Sequence, residues 1–583
     1  MIKIYDCTLR EGAQASGVSF SVQDKLRITE LLDDIGFTYT EGGWPGSNAK
    51  DTLFFQELKA LPLKKIKVVA FGRTKRASSR AEDDASLNAL VRTGIPYGHI
   101  FGKGWDLHVS EVLGISPEEN LESVYESIRF LKKHMEEVSF GFEHFFDAYK
   151  ENPAGAMKLI ETAVQAGVDW IDLADTNGGC FPHEVASIVS TVTRSFDIEF
   201  AVHCHNDTGC GVANTIAAVQ NGVKIVEGTV NGYSERCGMA DLCTVIPNLQ
   251  LKLGYPILEP GKLQQLTRLS QEVAELLQAE PPAFHPYVGS LAFTHKAGVH
   301  VDGFLKLKRT YEHIDPALVG NRSDIVVSEV SGKSNLNSFL RKHRLDHLFA
   351  DRDLEGLVRL VKELEFGGFE FNSSEESLVL MLLRHCGKTS RRIQVNRLSV
   401  KLADEAAPDA AIGGAISALA DNRADLPDWG VPIGASTIEF DGVFDFMSGR
   451  DPIVGERVQF SLTNDKASLN HLVEGFVARC SEFFPELAGT RLVDFKIRAI
   501  NDRTRRVRVV LEFTDGSRTW KMGAVNSSVA NATLNATIEA LEYRLCMGDL
   551  GTFTQPEANP QTLGNLVSAA SDSRQSAFAD NGR

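Results

Sequence analysis

The first part of the chain alternates short β-rich runs with helix-length amphipathic segments, and this alternation restricts the fold more than any other feature. Helical segments such as SVQDKLRITELLDDIG and GAMKLIETAVQAG separate the β-rich runs. Eight β/α units in about 250 residues predict a TIM (β/α)8 barrel, a fold of the α/β class, over residues 1–255. The alternative, a doubly wound sheet, needs a glycine-rich first turn of the dinucleotide-binding type, and DCTLREGAQ is not such a turn. The eight runs are 2–9, 37–43, 65–72, 97–104, 137–145, 169–176, 198–206 and 224–232.

Polar residues follow these runs at their C-terminal ends, the rim that carries the active site in a barrel of this type. His203 and His205 stand two positions apart on one strand, so both rings project to the same face and can reach one ion. A pair of hydrogen-bonded rim histidines remains the alternative. Adding Glu11 favours a divalent metal site, because two imidazoles and a carboxylate form an ordinary ligand set. The rim residues are Arg10, Glu11, Glu41, Glu143, Thr176, His203 and His205, with the loop 231–241.

Composition excludes several classes of protein. The 583 residues include 61 Lys and Arg against 77 Asp and Glu, and the formal net charge of −16 argues against nucleic acid as a partner. No apolar run is long enough for a membrane span, and the start of the chain becomes polar within a few residues, so we expect a cytoplasmic protein with no membrane partner. The nine cysteines form no C-x-x-C pair and are interpreted as reduced thiols.

Several long motifs, in order along the chain, resemble the R-citramalate synthase branch of the isopropylmalate and homocitrate synthase family. The resemblance is close over residues 1–400 and looser over 455–547. The motifs are YDCTLREGAQ, EGGWPGSNAKD, IFGKGWDLHVSEVL, EHFFDAYKENP, DTNGG, HCHNDTG, NGYSERCG, IPNLQLKLGY and RTYEHIDPALVGNRSDIVVSEVSGKSNL.

The resemblance implies a Claisen-type condensation of acetyl-CoA with a 2-oxo acid, which is pyruvate in this branch. Thioester hydrolysis then releases CoA and (R)-citramalate. A divalent ion, Mg²⁺ or Mn²⁺, would bind the keto oxygen and carboxylate of the oxo acid and stabilise the alkoxide.

The resemblance also implies roles for individual residues. Arg10 would place a positive charge at the reacting oxygens, and Glu143 and His300 would act in acid/base chemistry. Gln14 and Glu41 would lie beside the substrate or support Arg10. The catalytic set is Arg10, Glu143, His300, Asp302 and Tyr311; the substrate-binding set is Arg10, Gln14, Glu41, His144 and Thr176; the metal ligands are Glu11, His203 and His205.

Four residues depart from the branch pattern: Glu11, His144, Met239 and Asp302. Relatives have an asparagine ligand where this chain has Met239, and a thioether is a poor ligand for Mg²⁺ or Mn²⁺. Water could fill the fourth position, which is the favoured interpretation; alternatively the site selects Zn²⁺ or Co²⁺, or binds metal weakly. Met239 could also pack under the rim. His144 replaces a tyrosine that fits the pyruvate methyl group in some relatives.

Two alternative functions follow from these departures. The first is a specialised 2-alkylmalate or homocitrate-like synthase that uses another 2-oxo acid. The second is a catalytically inactive homologue that binds an effector, although the presence together of the predicted catalytic residues and metal ligands argues against it.

The rest of the chain divides into four predicted segments. Residues 256–403 are expected to form helical subdomains that complete the active site, with His300 and Tyr311 reaching the neighbouring subunit of a homodimer. Residues 404–453, rich in Ala, Asp, Gly and Pro, are expected to be a linker or insertion. Residues 454–547 show a strand-then-helix repeat that resembles the family's regulatory domain, which binds an amino-acid effector. Residues 548–583 are expected to be a disordered tail.

Overall fold

The computed structural model describes residues 2–403, 437–448, 451–452, 458–460, 469–501 and 506–551. The chain divides into two compact units. The first comprises the described residues up to Thr294 together with Leu307–Asp324. The second comprises His295–Lys306 and the described residues from Ile325 onward.

Eight parallel strands of the first unit close into a barrel in sequence order, which confirms the predicted TIM barrel. Each of the eight predicted β-rich runs overlaps one barrel strand, and only β3 (Lys67–Arg73) ends outside its run, by one residue. The strands are β1 (Lys3–Asp6), β2 (Tyr39–Gly43), β3 (Lys67–Arg73), β4 (Tyr97–Lys103), β5 (Glu137–Glu143), β6 (Trp170–Asp175), β7 (Glu199–Cys204) and β8 (Ile225–Gly228).

Ten helices accompany the barrel strands in the described part of the first unit, and the first of them is capped at both ends. In the first helix, Ser21 Oγ accepts from Asp24 N at 3.1 Å, and the Asp24 carboxylate accepts from Ser21 N at 2.7 Å. The same helix ends at Gly36, whose φ of 101° suits glycine. The helices are α1 (Val22–Ile35), α2 (Ala49–Glu57), α3 (Ala85–Thr93), α4 (Pro117–Leu131), α5 (Phe145–Glu151), α6 (Pro153–Gln165), α7 (Pro182–Ser195), α8 (Gly211–Gln220), α9 (Leu242–Pro247) and α10 (Leu266–Leu276).

The barrel interior changes from apolar to polar towards the C-terminal ends of the strands. One buried layer holds Tyr5, Tyr39, Val69, Trp170, Ala201 and Ile225. Because side chains alternate along a strand, the next inward position on each strand is two residues further on. Those positions hold Cys7, Glu41, Phe71, Asp172, His203 and Glu227. The strands therefore deliver titratable groups to the same end of the barrel.

The second unit combines helices with antiparallel sheets. Strands β11 (Ile393–Ala403) and β12 (Thr437–Ser448) pair antiparallel, and β13 (Asp451–Pro452) and β14 (Val458–Phe460) each pair with β12. A three-stranded sheet contains β15 (Arg491–Asn501), β16 (Arg506–Thr514) and β17 (Thr519–Asn526). The short strands β9 (Thr294–His295) and β10 (Asp324–Ile325) form a separate two-stranded sheet. The elements are α11 (Gly298–Lys306), α12 (Lys333–Lys342), α13 (Leu354–Phe366), α14 (Glu375–His385), β11 (Ile393–Ala403), β12 (Thr437–Ser448), β13 (Asp451–Pro452), β14 (Val458–Phe460), α15 (Leu469–Phe483), β15 (Arg491–Asn501), β16 (Arg506–Thr514), β17 (Thr519–Asn526) and α16 (Val529–Gly551).

The predicted domain boundaries differ from this division in three places. The first compact unit continues past residue 255 to Thr294 and also contains Leu307–Asp324. Ile393–Ala403 is a strand within the segment expected to be helical, and Thr437–Ser448 is a strand within the expected linker, where backbone pairing with β11 orders it. Helix α16 extends to Gly551, into the expected tail. Residues 404–436 and 552–583 lie outside the described residues.

In the described part of the chain, no helix has the length and apolar character needed to cross a membrane.

Candidate active site

A cavity of about 220 Å³ opens among the C-terminal ends of the barrel strands. Seven of the predicted site residues line it: Arg10, Glu11, Gln14, Glu143, Thr176, His203 and His205. Three aromatic side chains, Trp44, Phe71 and Phe101, line it as well. The cavity therefore combines a charged region with an apolar wall.

The three predicted metal ligands converge within this cavity. The Nε2 atoms of His203 and His205 are 3.3 Å apart, and His205 Nε2 is 3.8 Å from Glu11 Oε1. All three side chains are buried. Ser234 Oγ donates a hydrogen bond to Glu11 Oε1 at 2.8 Å, which fixes that carboxylate.

Burial and neighbouring charges shift the pKa values of Glu11 and His205. Burial opposes ionisation of Glu11, but the charge of Arg10 and the two imidazoles hold its pKa below the usual range. Burial, followed by the neighbouring His203, lowers the pKa of His205. Two imidazole nitrogens and one carboxylate oxygen facing a common point are a donor set that fits a divalent ion. The assignment of these residues as ligands stays a prediction.

A second group of possible metal ligands shares His203. Cys7, His203 and Glu227 also place one ligand atom each within 4.8 Å of one another. Here the contact uses the other ring nitrogen, because His203 Nδ1 is 3.0 Å from Glu227 Oε2. Sequence patterns did not identify this group.

Arg10 is held from several sides. Its Nε donates to Glu41 Oε2 at 2.5 Å, its Nη1 pairs with Glu11 Oε2, and its Cζ lies 3.9 Å above the centroid of the Phe71 ring. Burial disfavours the guanidinium charge, but Glu41 and Glu11 together raise the pKa of Arg10. Glu41 is fully buried behind Arg10 and also accepts from Tyr5 OH at 3.0 Å. Its contacts favour the supporting role over direct substrate binding.

Glu143 and Thr176 face the cavity with defined partners. Lys103 Nζ donates to Glu143 Oε2 at 2.5 Å. The backbone N–H of His144 donates to Thr176 Oγ1 at 2.8 Å, so the hydroxyl can donate its own hydrogen to a ligand. The sequence did not indicate that Lys103 contacts Glu143, although Lys103 lies in the motif IFGKGWDLHVSEVL.

His144 occupies a left-handed backbone position, with φ 57°, at the start of α5. Its ring centroid lies 5.3 Å from that of Trp105 and 4.5 Å from that of His108, and its Nδ1 is 3.0 Å from Asp147 Oδ2. The ring therefore packs within a cluster on the rim, and its effect on the choice of oxo acid stays a prediction.

Met239 packs in the barrel interior. Its side chain is 2% exposed and belongs to the buried cluster that includes Cys7 and Ala201. The backbone on either side pairs with the residues at the end of β7, since Asn206 N donates to Gly238 O and Ala240 N donates to Cys204 O, both at 2.9 Å. These contacts favour the packing interpretation of the methionine.

The remaining predicted catalytic residues lie elsewhere in the chain. His300 and Asp302 are on α11 of the second unit, where Asp302 Oδ2 accepts from Lys306 Nζ at 2.7 Å. Tyr311 follows the short turn Lys308–Thr310 in the first unit and is not among the described residues that line the cavity. Their catalytic roles stay predictions.

Three buried titratable groups of the cavity were missed: His99, Asp172 and Glu227. Burial, with neighbouring carboxylates, raises the pKa values of Asp172 and Glu227. Burial lowers the pKa of His99, whose Nδ1 lies 2.9 Å from Ser139 Oγ. The available signal was a titratable residue inside an otherwise apolar strand, as in WIDLAD and IVEG.

Comparison with known proteins agrees with this architecture. The family model described as HMGL-like matches residues 1–273, and the model described as homocitrate synthase post-HMGL domain-like matches residues 287–366. The chain is 40% identical over 550 residues to an (R)-citramalate synthase of Aquifex aeolicus, covering 93% of this chain and 98% of the relative.

Two further relatives separate the branches of the family. An (R)-citramalate synthase of Sulfolobus acidocaldarius is 38% identical over 549 residues, covering 93% of this chain and 97% of the relative. A 2-isopropylmalate synthase of the same organism is 31% identical over 379 residues, covering 65% of this chain and 94% of the relative. Similarity to the citramalate synthases thus extends through both compact units, and the chain belongs to the (R)-citramalate synthase family.

Proposed function

We propose that the chain condenses acetyl-CoA with pyruvate and hydrolyses the resulting thioester, giving (R)-citramalate and CoA. The observation that carries the proposal is the convergence of Glu11, His203 and His205 beside Arg10 in one cavity. A divalent ion bound by these residues would polarise the keto group of the oxo acid and compensate the charge that develops on its oxygen. Mg²⁺ or Mn²⁺ is the favoured ion, with Zn²⁺ and Co²⁺ as alternatives.

Arg10 supplies a fixed positive charge at the reacting oxygens. Its contacts with Glu11, Glu41 and Phe71 hold the guanidinium in place before substrate binds. A preorganised charge in a buried site stabilises a developing oxyanion without reorganisation during the reaction. Thr176 donates its hydroxyl hydrogen to the substrate carboxylate, because its oxygen already accepts from His144 N.

Glu143 is the proposed base for the acetyl methyl group. Lys103 donates a hydrogen bond to Glu143 Oε2, so Oε1 is the oxygen that would accept the proton from the methyl group. The carbon that loses this proton forms the new bond to C2 of the oxo acid, while the electron pair of the keto C=O bond moves to its oxygen and is protonated there. Water then cleaves the thioester and CoA leaves as the thiol. His300, supported by Asp302 and Tyr311, is the proposed partner in these proton transfers.

The aromatic wall of the cavity favours a small oxo acid. Trp44 lies edge-on to both Phe71 and Phe101, with centroid separations of 5.7 Å. These rings limit the room beside the keto carbon in a cavity of about 220 Å³. A methyl group such as that of pyruvate is therefore preferred over branched or acidic side chains.

We also propose a homodimer and control by an amino-acid effector. A second cavity, of about 680 Å³, lies within the second unit among α13, α14, β11, β17 and α16. Its lining combines apolar side chains such as Leu364 and Ile538 with the charged groups of Arg391 and Glu539. This combination suits a small zwitterion with an apolar side chain, and isoleucine is expected to inhibit CoA release.

The substrate is tested by CoA thiol release from acetyl-CoA with pyruvate, 2-oxobutyrate, 2-oxoisovalerate and 2-oxoglutarate. We expect the highest kcat/KM with pyruvate. Release only with another oxo acid would assign the specialised synthase, and no release with any acid or metal would favour the inactive homologue.

A further inference from the structure

Glu227 is a buried carboxylate in the middle of an apolar strand. It lies on β8, is 1% exposed and faces the barrel interior. The parallel register pairs Ala201 with Ile225 and Val202 with Val226, so Glu227 is the next residue alongside His203. Burying a carboxyl group is costly unless it is hydrogen-bonded, so its partners indicate what it does.

The partners of Glu227 connect it to the predicted metal site. Its Oε2 lies 3.0 Å from His203 Nδ1 and 3.7 Å from Cys7 Sγ. Its Oε1 has no hydrogen-bond partner among the described residues. On the far side of the same imidazole, His203 Nε2 lies 3.3 Å from His205 Nε2. The His203 ring is therefore positioned between Glu227 and the point where the metal ligands meet.

This arrangement selects one form of the His203 ring. When Oε2 accepts a hydrogen bond from Nδ1–H, the neutral imidazole presents a bare lone pair at Nε2. Either protonation state of Oε1 leaves Oε2 as the acceptor. A carboxylate that holds the second ring nitrogen of a metal-binding histidine fixes the ring orientation and makes the ligand more basic.

We propose that Glu227 is a positioning residue that holds His203 in the metal-binding tautomer and orientation. The inference rests on the proposed function only in taking Glu11, His203 and His205 as the metal ligands. It excludes the alternative cluster of Cys7, His203 and Glu227, since Nδ1 cannot donate to Glu227 and bind a metal at the same time.

The first test is the Mn²⁺ dissociation constant of the metal-stripped full chain, measured by competition with a chelating indicator. Glu227→Met removes the acceptor at similar length and should weaken binding about 10- to 100-fold. Glu227→Gln keeps an amide oxygen as acceptor and should weaken binding less. Asp172→Asn is the matched control, because Asp172 is a buried carboxyl group of the same cavity that makes no hydrogen bond to an imidazole among the described residues. Asp172→Asn should bind Mn²⁺ with the same dissociation constant as the wild type.

The second test is the absorption spectrum of the Co²⁺-loaded chain. We expect no thiolate-to-cobalt charge-transfer band, and no change in spectrum or affinity in Cys7→Ala. A band that disappears in Cys7→Ala, with weaker binding in that variant, would overturn the proposal and make Glu227 a ligand. Unchanged Mn²⁺ affinity in Glu227→Met would overturn it as well. Circular dichroism of each metal-stripped variant verifies folding, and Glu227→Gln is the conservative variant if Glu227→Met fails to fold.

Activity separates this inference from the proposed function. Raising the Mn²⁺ concentration should restore CoA release in Glu227→Met, because the defect is in metal binding; a defect in packing would not respond to metal. If the wild type releases no CoA while its variants show the expected order of Mn²⁺ affinities, the proposed function fails and the positioning role stands. If the wild type turns over and Glu227→Met binds Mn²⁺ as tightly, only the positioning role fails.

Discussion

Arg10 is among the most constrained side chains of the cavity. It contacts two carboxylates and the face of an aromatic ring, while its own side chain is 12% exposed. A buried guanidinium is tolerated because Glu11 and Glu41 compensate its charge. The position of the positive charge therefore depends on carboxylates that contact no substrate in our account.

Glu41→Gln tests this dependence. The amide removes the charge from the bond to Arg10 Nε, and we expect kcat/KM with pyruvate to fall about 10- to 100-fold, in line with the loss of a charge-assisted hydrogen bond. Tyr5→Phe is the control, because it removes a hydrogen bond from a neutral donor to the other oxygen of Glu41 and leaves the charge of Glu41 in place. Steady-state kinetics measure kcat/KM for both variants. An equal fall in kcat/KM in the two variants would contradict the role of the Glu41 charge.

Met239→Leu tests whether the thioether binds the metal. Leucine conserves the apolar volume at a position that is 2% exposed, so the free energy of unfolding should change by less than about 1.5 kcal/mol. The Mn²⁺ dissociation constant should stay at the wild-type value, because the side chain packs with Cys7 and Ala201. Weaker Mn²⁺ binding by Met239→Leu would show instead that the sulfur is a ligand.

The sequence predicts which side chains lie close together on one strand. It predicts poorly which side chains make contact across two neighbouring strands. The sequence predicted that His203 and His205 lie close together, because their spacing places both rings on the same face of the chain at the end of β7. Glu227 and Lys103 were not found, because each contacts its partner from a neighbouring strand. The register between strands depends on the closed barrel and is not visible in the order of the residues.

One connection between elements, from α1 to β3, depends on a single carboxylate. Asp33 accepts three backbone hydrogen bonds, from Lys64 N at 2.7 Å, Lys65 N at 2.9 Å and Ile66 N at 2.8 Å. Burial opposes ionisation, but these donors lower the pKa of Asp33. The carboxylate thus holds the segment that leads into β3.

Asp33→Asn should lower the free energy of unfolding at pH 7 by about 1–3 kcal/mol, because an NH₂ group replaces one acceptor oxygen. A pKa lowered in the folded state stabilises the fold above the unfolded value of about 3.9, and this stability is lost as pH falls. The difference between variant and wild type should therefore shrink below about pH 4.

Urea unfolding at several pH values measures this effect. Asp34→Asn is the control, since Asp34 is exposed and pairs with Lys64 Nζ on the surface. Asp34→Asn should lower the free energy of unfolding by no more than about 1 kcal/mol. An Asp33→Asn cost that stays constant from pH 7 to pH 3 would contradict the charge-based account.

Among the elements, the barrel strands were predictable because each is a short β-rich run between amphipathic helices. Strand β12 was not, because the Ala, Gly and Pro content of residues 404–453 indicated a linker as a whole. Within that segment, TIEFDGVFDF alternates apolar and polar residues over much of its length, which is the pattern of a strand. The composition of the whole segment hid this alternation of apolar and polar residues, because it was averaged over residues 404–453.

At the scale of the whole molecule, we propose that His300 of one subunit serves the active site of its neighbour. Co-expression of Glu143→Gln and His300→Gln chains, purified through two different tags, yields hybrid dimers with one intact site if His300 serves the neighbouring subunit. Such hybrids should release CoA well above the rate of either parent. Activity no higher than the two parents combined would show that each chain completes its own site.

In the proposed reaction, metal held by Glu11, His203 and His205 would permit carbon–carbon bond formation between acetyl-CoA and pyruvate. Chiral chromatography with mass spectrometry of the product, using metal-stripped chain with and without Mn²⁺, tests it most directly. The account predicts (R)-citramalate in equal amount to CoA, formed only with Mn²⁺ and abolished by His203→Ala. CoA release without citramalate, or citramalate formation without metal, would contradict it.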